Sequence, residues 1–242
     1  MKFSEFLNKA FFYLSVPKCV SCKERLLPEN IALCDRCRTL SIEAMERECP
    51  VCLKKTSLCV CTNKHLTSHF IKGHIKLYKY GDGESSRPLD ALIYAIKRAD
   101  RSDLFDFAAS LLAGAVKAQG ISLDNAVITN VPRRKSAILR FGIDHARLLA
   151  ERTAMLLGVE YLELLKSTAK TAQKSLKGAE RIANTDFSVI SDTDLTGRTV
   201  IILDDIVTTG ASMGSAATLI RSMGAKIIYA LSIAYAYKNK ES

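Results

Sequence analysis

The second half of the chain alternates between apolar runs and stretches with helical periodicity. Residues Thr199–Leu203 are β-branched or apolar without alternation, which is typical of a strand buried on both faces of a parallel sheet. The apolar residues of Ser212–Met223 recur with the spacing of a helix, and a further apolar run covers Lys226–Tyr235. This strand–helix–strand order predicts one unit of a parallel sheet.

Earlier segments extend the same pattern. Phe70–Tyr80 alternates apolar and polar residues and predicts a strand with one face in water, whereas Ala126–Val131 predicts a buried strand. Helical periodicity covers three further segments, Leu89–Lys97, Leu104–Val116 and Ile143–Leu157. We therefore predict an α/β fold with a mostly parallel, doubly wound sheet of about five strands.

Two acids and a hydroxyl-rich loop follow the strand Thr199–Leu203. Asp204 and Asp205 stand where we expect the strand to end, and small residues then lead into the helix, namely Thr208, Thr209, Gly210, Ala211 and Ser212. The N–H groups of such a loop and the positive end of the helix dipole favour an anion. Carboxylates beside that anion suit sugar hydroxyls, bound directly or through Mg²⁺. The alternative is that these residues only cap the strand and the helix.

This stretch resembles the ribose-5-phosphate signature of type I phosphoribosyltransferases, in which an apolar strand, two acids and two apolar residues precede Thr-Thr-Gly. The resemblance implies that Asp204 and Asp205 hold ribose hydroxyls and that the loop Thr208–Ser212 binds the 5-phosphate. Purine-type relatives carry a further carboxylate just before the Thr-Gly, where this chain has Val207 and Thr208. The resemblance therefore leaves the acceptor of any transfer reaction open.

Basic residues follow the strand Ala126–Val131 and fit a second anion loop at the sheet edge. In the resemblance, this loop grips the pyrophosphate of phosphoribosyl pyrophosphate (PRPP) through Val131, Pro132 and Arg133. The polar, basic segment Lys166–Asn184 predicts a mobile loop that closes over the ligand. The resemblance implies that Lys174 or Arg181 neutralises the pyrophosphate from that loop.

All eight cysteines lie within the first 61 residues, in four close pairs. Disulfides are disfavoured in the cytoplasm, whereas cysteine pairs at this spacing suit tetrahedral Zn²⁺. We predict two structural zinc ions with four cysteine ligands each. The simplest assignment follows chain order, with Cys19, Cys22, Cys34 and Cys37 on one ion and Cys49, Cys52, Cys59 and Cys61 on the other. A crossed arrangement and a redox cluster stay open.

The composition fits a globular protein with excess positive charge. Of 242 residues, 48% are hydrophobic, no apolar run reaches membrane-spanning length, and the formal net charge is +10. Two zinc ions with eight thiolates lower this charge to about +6. Residues 130–181 hold eleven basic and five acidic residues, which favours a phosphate or nucleic acid ligand. The pattern of residues 1–16 predicts an amphipathic helix rather than a signal peptide, hence a cytoplasmic protein.

More specific motifs lie in the second half of the chain. Arg140–Ala146 and Thr171–Leu176, followed by Arg181 and Asn184, resemble the ComF family. That family consists of competence-associated proteins with a cysteine-rich zinc module before a phosphoribosyltransferase-like domain. The resemblance covers nearly the whole chain and implies a helix over 1–16, a double zinc ribbon over 17–63, a linker near Thr62–Ser68, and the phosphoribosyltransferase-like domain over 69–242. Ile143 and His145 depart from the aromatic residue and the glutamine that family members usually carry there.

The resemblance implies a protein that binds PRPP or ribose 5-phosphate with Mg²⁺ and serves DNA uptake in natural competence. The alternative is a non-catalytic factor that binds single-stranded DNA or competence proteins with the same fold. Single-strand binders usually stack bases on aromatic side chains. Residues 130–181 contain two such side chains, Phe141 and Tyr161, which favours PRPP.

Overall fold

The structure is a computed structural model of the 242-residue chain and describes residues 17–98, 101–134, 138–139, 142–168 and 187–237. The helix predicted over residues 1–16 lies outside these ranges, as do Lys174, Arg181 and most of the predicted loop Lys166–Asn184. Within the described ranges the longest helix has 16 residues, and none is long and apolar enough to cross a membrane.

One parallel sheet forms the centre of the fold. Its strands are β1 (Ile71–Lys79), β2 (Ala126–Asn130), β3 (Glu160–Tyr161), β6 (Thr199–Val207) and β7 (Ile227–Tyr235). Their order across the sheet is β1–β7–β6–β2–β3, and all four neighbouring pairs are parallel. A separate antiparallel pair is formed by β4 (Leu165–Ser167) and β5 (Phe187–Val189). The predicted α/β fold with a mostly parallel sheet is confirmed.

Helices cover both faces of this sheet. They are α1 (Asp35–Glu46), α2 (Lys64–Ser68), α3 (Arg87–Arg98), α4 (Asp103–Ala118), α5 (His145–Leu157) and α6 (Ala211–Ser222). In β6, Ile201 belongs to a buried core with Leu112 and Leu149, whereas Val200 belongs to a second core with Ala217. Successive side chains of a strand point to opposite faces, so β6 is buried on both.

The order in which the chain adds strands to the sheet reverses between β2 and β6. From β2 it passes through α5 to β3 on one side, and from β6 it passes through α6 to β7 on the other. The two helices pack into different cores and therefore lie on opposite faces of the sheet. The loops that follow β2 and β6 thus diverge, which is the arrangement that opens a ligand crevice at the carboxyl ends of the strands.

The cysteine-rich part of the chain covers the edge strand β1. Cys34 and Cys37 join the core that also contains Ile75, while the N–H of His74 donates to the carbonyl of Val60 at 3.0 Å. This cover explains why the prediction of one face in water is wrong for β1, in which both faces are buried along most of its length. An edge covered in this way is protected from pairing with another chain.

The predicted linker near Thr62–Ser68 contains the helix α2. Leu66 of α2 is fully buried in the core that α6 also joins. It packs against Gly210 at the start of α6, where an added Cβ would lie 2.7 Å from Cδ2 of Leu66. The connection between the cysteine-rich part and the sheet is therefore packed against the sheet rather than free.

Replacing Leu66 by alanine tests this packing. The substitution would leave a cavity at a fully buried site, so we expect the free energy of unfolding to fall by about 2–5 kcal/mol. Leu27→Ala is the matched control, since that residue is 52% exposed and we expect a change of about 0.5 kcal/mol. Urea denaturation measures both variants. Equal stabilities would contradict the packed position of α2.

Candidate functional site

The pairing between β2 and β6 ends before β6 does. Asn130 pairs with Leu203, and the N–H of Val131 donates to the carbonyl of Leu203 at 2.9 Å. Strand β6 then continues to Val207 beside β7 alone. The predicted strand end at Leu203 is therefore wrong, because β7 keeps the backbone from Asp204 onward extended. Within the described residues no strand pairs with this last part of β6 on the side of β2, and we call this break in the sheet the gap. Open α/β sheets bind ligands at this position.

Asp205 is buried at this gap, and one of its carboxylate oxygens contacts three nitrogen donors. Its Oδ2 lies 2.8 Å from Nη2 of Arg133, 3.0 Å from Nζ of Lys97 and 3.1 Å from Nε2 of His145. Burial raises the pKa of Asp205, but the hydrogen bond from His145 and the two adjacent positive charges outweigh burial. The pKa of Asp205 is thereby held well below its ordinary value, so this carboxylate is ionised.

Asp204 borders the same gap, but its pKa is shifted in the opposite direction from that of Asp205. Its Oδ1 accepts the backbone N–H of Asp205 at 2.9 Å and lies 3.4 Å from Nη2 of Arg133. Burial and the negative charge of Asp205 raise the pKa of Asp204 to about 8. At neutral pH the two acids therefore carry about one negative charge between them, and it lies on Asp205. Because Lys97 and Arg133 carry two positive charges, the cluster is positive in sum.

The loop after β6 has the form of an anion site. Thr208, Thr209 and Ser212 are exposed, and Oγ1 of Thr209 accepts the N–H of Ala211 in the first turn of α6 at 3.2 Å. Gly210 precedes α6 with a φ of 88°, a left-handed conformation that favours glycine. The unpaired N–H groups of a first helical turn and the positive end of the helix dipole attract anions.

The helix α2 holds this loop from the cysteine-rich part. Asn63 caps α2, and its Nδ2 donates to the carbonyl of Thr209 at 3.1 Å. Leu66 covers the Cα of the next loop residue, Gly210. Cys61 lies two residues before Asn63, so the segment that contacts the loop begins at the second cysteine group.

Each predicted group of four cysteines is brought together in the structure. Within each group the Sγ atoms lie within 4.8 Å of one another. A tetrahedral Zn²⁺ with Zn–S bonds of about 2.3 Å requires sulfur atoms about 3.8 Å apart, so both donor sets fit this ion. The grouping follows chain order, which confirms the sequential assignment over the crossed one; the two groups are Cys19, Cys22, Cys34, Cys37 and Cys49, Cys52, Cys59, Cys61.

The first two cysteines of each group lie in the same kind of turn. The N–H of Lys23 donates to the carbonyl of Cys19 at 3.1 Å, and the N–H of Leu53 donates to that of Cys49 at 2.9 Å. Both donors have left-handed backbones, with φ values of 66° and 57°. Burial raises the pKa of the Cys19 and Cys49 thiols, but hydrogen bonds from backbone N–H groups outweigh burial and bring both pKa values down to about 7; for Cys19 these come from Cys34 and from the turn, and for Cys49 from the turn. The turns therefore favour thiolates, the form that binds metal.

Comparisons with known proteins bear on the second half of the chain. Residues 138–242 match the family model of the phosphoribosyl transferase domain. This match covers less than half of the chain, and within it lies the stretch of two acids and Thr-Thr-Gly. Ribose-phosphate pyrophosphokinases of Pyrococcus abyssi and Thermococcus kodakarensis are 37% identical over 81 residues and 36% identical over 88 residues. These matches cover 33% and 36% of this chain, which spans about a quarter of the length of these curated relatives, 24% and 25%.

Solved structures with a similar chain course include two phosphoribosyltransferases. The adenine phosphoribosyltransferase of Thermoanaerobacter pseudethanolicus is 19% identical, with a TM-score of 0.37 over 57% of this chain and 81% of that one. The purine phosphoribosyltransferase of Pyrococcus horikoshii is 18% identical, with a TM-score of 0.37 over 56% of this chain and 75% of that one.

The structure brings three of the predicted site residues into contact at the gap. Asp204, Asp205 and Arg133 contact one another, and Val131 and Pro132 lead away from β2. The predicted loop residues lie between the end of β6 and the first turn of α6, namely Thr208, Thr209, Gly210, Ala211 and Ser212. The predicted residues Lys174 and Arg181 lie outside the described part of the chain.

Two residues that the sequence analysis did not assign to the site also reach it, Lys97 and His145. Lys97 lies in the last turn of α3, and His145 is the first residue of α5, directly after its N-cap Asp144. The start of α5 after a predicted strand was the available signal for His145. No pattern around Lys97 indicates a contact with Asp205, since the two are far apart in the sequence.

The unequal acids predict a pH dependence of stability. The pKa of Asp204 is raised from 3.8 to about 8 in the folded protein. Its contribution to stability is therefore complete below about pH 4 and is lost as the pH rises toward 8, by up to about 1.4 kcal/mol per pH unit. Asp204→Asn removes this titration while keeping the shape of the protonated acid. We expect the variant to gain stability relative to the wild-type protein as the pH rises.

Urea unfolding of both proteins between about pH 5 and pH 8 measures this difference. Other titrating groups are common to the two proteins, so they largely cancel. A difference that does not change with pH would show that Asp204 is ionised throughout.

Proposed function

We propose that the protein binds PRPP, with Mg²⁺, in the gap between β2 and β6. The observation that carries the proposal is the pair of acids shortly before a helix N-terminus, at the point where the strand order reverses. The loop Thr208–Ser212 is assigned to the 5-phosphate, and the cationic group of Arg133 is assigned to the pyrophosphate. Carboxylate oxygens are ligands that Mg²⁺ prefers, and the ion would orient the pyrophosphate and offset its charge.

Asp204 and Asp205 take different roles in this proposal. The Oδ2 of Asp205 already faces three nitrogen donors, so we assign it to holding the site together. Asp204 is the acid with an accepting oxygen to offer a ribose hydroxyl or Mg²⁺. Its raised pKa means that ligand binding would release its proton, and binding would strengthen as the pH rises.

The proposed reaction class is transfer of phosphoribose from PRPP. The bond between C1 of the ribose and the pyrophosphate breaks, a bond to the acceptor forms, and positive charge develops on the ribose ring in between. Negative charge on Asp204, after ligand binding has released its proton, would stabilise that ring. Val207 and Thr208 offer neither a strong acid nor a base to the acceptor, so the proposal names the donor substrate and leaves the acceptor unnamed.

A ligand titration with single variants tests the ribose site. At a PRPP concentration 100 times the dissociation constant, with Mg²⁺ present, we expect stabilisation by about 2.7 kcal/mol. Asp204→Asn should remove most of this response without lowering the stability of the protein alone. Asp205→Asn should lower that stability by about 3 kcal/mol, because it removes the buried negative charge that faces the partly buried Lys97 and Arg133.

Asp124→Asn is the control, at an exposed acid before the amino end of β2. Thermal or urea unfolding with and without PRPP measures all four proteins. A full response in Asp204→Asn would show that this acid does not contact the ligand, and no response in the wild-type protein would refute PRPP binding.

We also propose that both cysteine groups hold structural Zn²⁺ and that the protein is cytoplasmic. The support for zinc is the repeated turn at Cys19 and Cys49 and the four Sγ atoms of each group, which lie within 4.8 Å of one another. Four protein ligands leave no open position on the metal, which is the structural rather than the catalytic type of site.

Metal analysis tests the zinc proposal. We expect two Zn²⁺ per chain in protein purified under reducing conditions, and chelation should unfold the cysteine-rich part, since structural Zn²⁺ supplies on the order of 10 kcal/mol of folding free energy in small modules. Circular dichroism and elemental analysis on the same samples give the two readouts. Protein without zinc and with oxidised cysteines would contradict the proposal.

A role in natural competence of the ComF type is part of the proposal. Its support is the resemblance of the motifs Arg140–Ala146 and Thr171–Leu176 together with two cysteine groups upstream of a phosphoribosyltransferase domain. The second candidate is binding of single-stranded DNA, which the basic excess of residues 130–181 favours. Within that segment Arg134 is exposed next to Arg133.

Competition separates the two candidates. If DNA shares the pyrophosphate loop, its affinity should fall with salt with a slope of about −0.7 per phosphate contacted, and PRPP should displace it. Arg134→Ala should reduce that slope by about 0.7, whereas Arg36→Ala, at an exposed arginine of α1, should not. Fluorescence anisotropy of a labelled oligonucleotide measures both effects. DNA binding that PRPP does not displace would contradict a shared site.

A further inference from the structure

Lys76 is a buried lysine where β1 meets the second cysteine group. Only 1% of the residue is exposed, which is rare for lysine. Among the ion pairs of the described residues, none joins Lys76 to a carboxylate. A buried ammonium group is costly unless hydrogen bonds and an opposite charge compensate it.

The surroundings of the ammonium group identify that opposite charge. Nζ of Lys76 donates to the carbonyls of Cys61 at 2.8 Å and His74 at 3.1 Å. It also lies 3.5 Å from both the carbonyl oxygen and the Sγ of Cys59. Carbonyls satisfy the N–H groups but carry no net charge. The sulfur of Cys59 is therefore the contacting group that can be an anion.

We propose that Lys76 balances the negative charge of a Zn²⁺ site formed by Cys49, Cys52, Cys59 and Cys61 and thereby strengthens its hold on the metal. This inference rests on the proposed zinc sites. Four thiolates and one Zn²⁺ carry a net charge of about −2. The buried ammonium group beside them reduces the net negative charge to about −1. Donors that surround metal ligands typically change metal affinity by about 10- to 100-fold.

The same side chain also fixes the backbone of the ligand segment. The carbonyl of Cys61 accepts from Lys76 and, at 3.3 Å, from the hydroxyl of Tyr237. Tyr237 in turn contacts Nδ1 of His74 at 3.0 Å. The first cysteine group provides a comparison, since the ammonium of Lys23 there donates to the carbonyl of Val20 at 2.8 Å and Lys23 is exposed.

Chelator competition on the full-length zinc-loaded protein tests the proposal. After each chelator step the freed thiols are alkylated and mapped by mass spectrometry, which reports the two cysteine groups separately. In Lys76→Met we expect Cys59 and Cys61 to become reactive at chelator concentrations about 10- to 100-fold lower than in the wild-type protein. The cysteines of the first group should respond as in the wild-type protein.

Three further variants separate charge from packing. Lys72→Met is the matched control on the same strand, at an exposed lysine, and should leave both groups unchanged. Lys76→Arg keeps the charge and should retain the metal to within a few-fold, whereas Lys76→Gln keeps an N–H donor without the charge and should lose it as Lys76→Met does. Lys76→Gln also serves if Lys76→Met does not fold.

The outcomes distinguish this inference from the zinc proposal. A wild-type protein that holds two zinc ions, with Lys76→Met or Lys76→Gln releasing them as the wild type does, overturns the role of Lys76 alone. Equal weakening of both cysteine groups, or equal weakening by Arg, Gln and Met, shows a packing role and also overturns it. A wild-type protein without zinc refutes both proposals.

Discussion

One buried carboxylate, that of Asp205, constrains the carboxyl edge of the sheet. An ionised acid inside a protein is costly unless it is paired, so the fold has to bring donors to it. Lys97, Arg133 and His145 meet this need from α3, the loop after β2 and the start of α5. Arg133 can reach Asp205 because β2 leaves the sheet at Asn130. The same early departure of β2 produces the gap, so the charge cluster and the gap have one structural origin.

The cysteine-rich part of the chain and the sheet share the strand β1. One face of β1 contributes Ile75 and Leu77 to the core beneath α3 and α4. The other presents Lys76 to the second cysteine group and His74 to Tyr237 and Ser232. After that group the chain forms α2, which contacts the loop after β6. The loop in front of α6 is thus held on one side by its own strand and on the other by the segment that follows the cysteines.

Much of this architecture is predictable because its signals are local. The apolar run Thr199–Leu203 and the Gly210 loop predict a strand and a helix within a few residues. Cysteine spacing predicts two groups of four, but the choice between the sequential and the crossed grouping needs the fold. The wet face predicted for β1 is wrong because alternation in a strand does not reveal what covers it, and here Lys76 is buried by a cysteine turn. The contact of Lys97 with Asp205 could not be predicted, since it joins residues more than a hundred positions apart and depends on how α3 packs.

The two acids of the signature illustrate how strand geometry gives neighbouring identical residues different chemistry. Because successive side chains of a strand alternate between its faces, Asp205 follows Ile201 and Leu203 toward the core of α3, α4 and α5, where Lys97 and His145 lie. Asp204 alternates to the other side and lacks those two partners, so burial and its charged neighbour raise its pKa. An acid whose ionisation is opposed in this way gains most from a cation or a hydroxyl donor. The same alternation that satisfies Asp205 therefore leaves Asp204 as the acid that we propose for ligand binding.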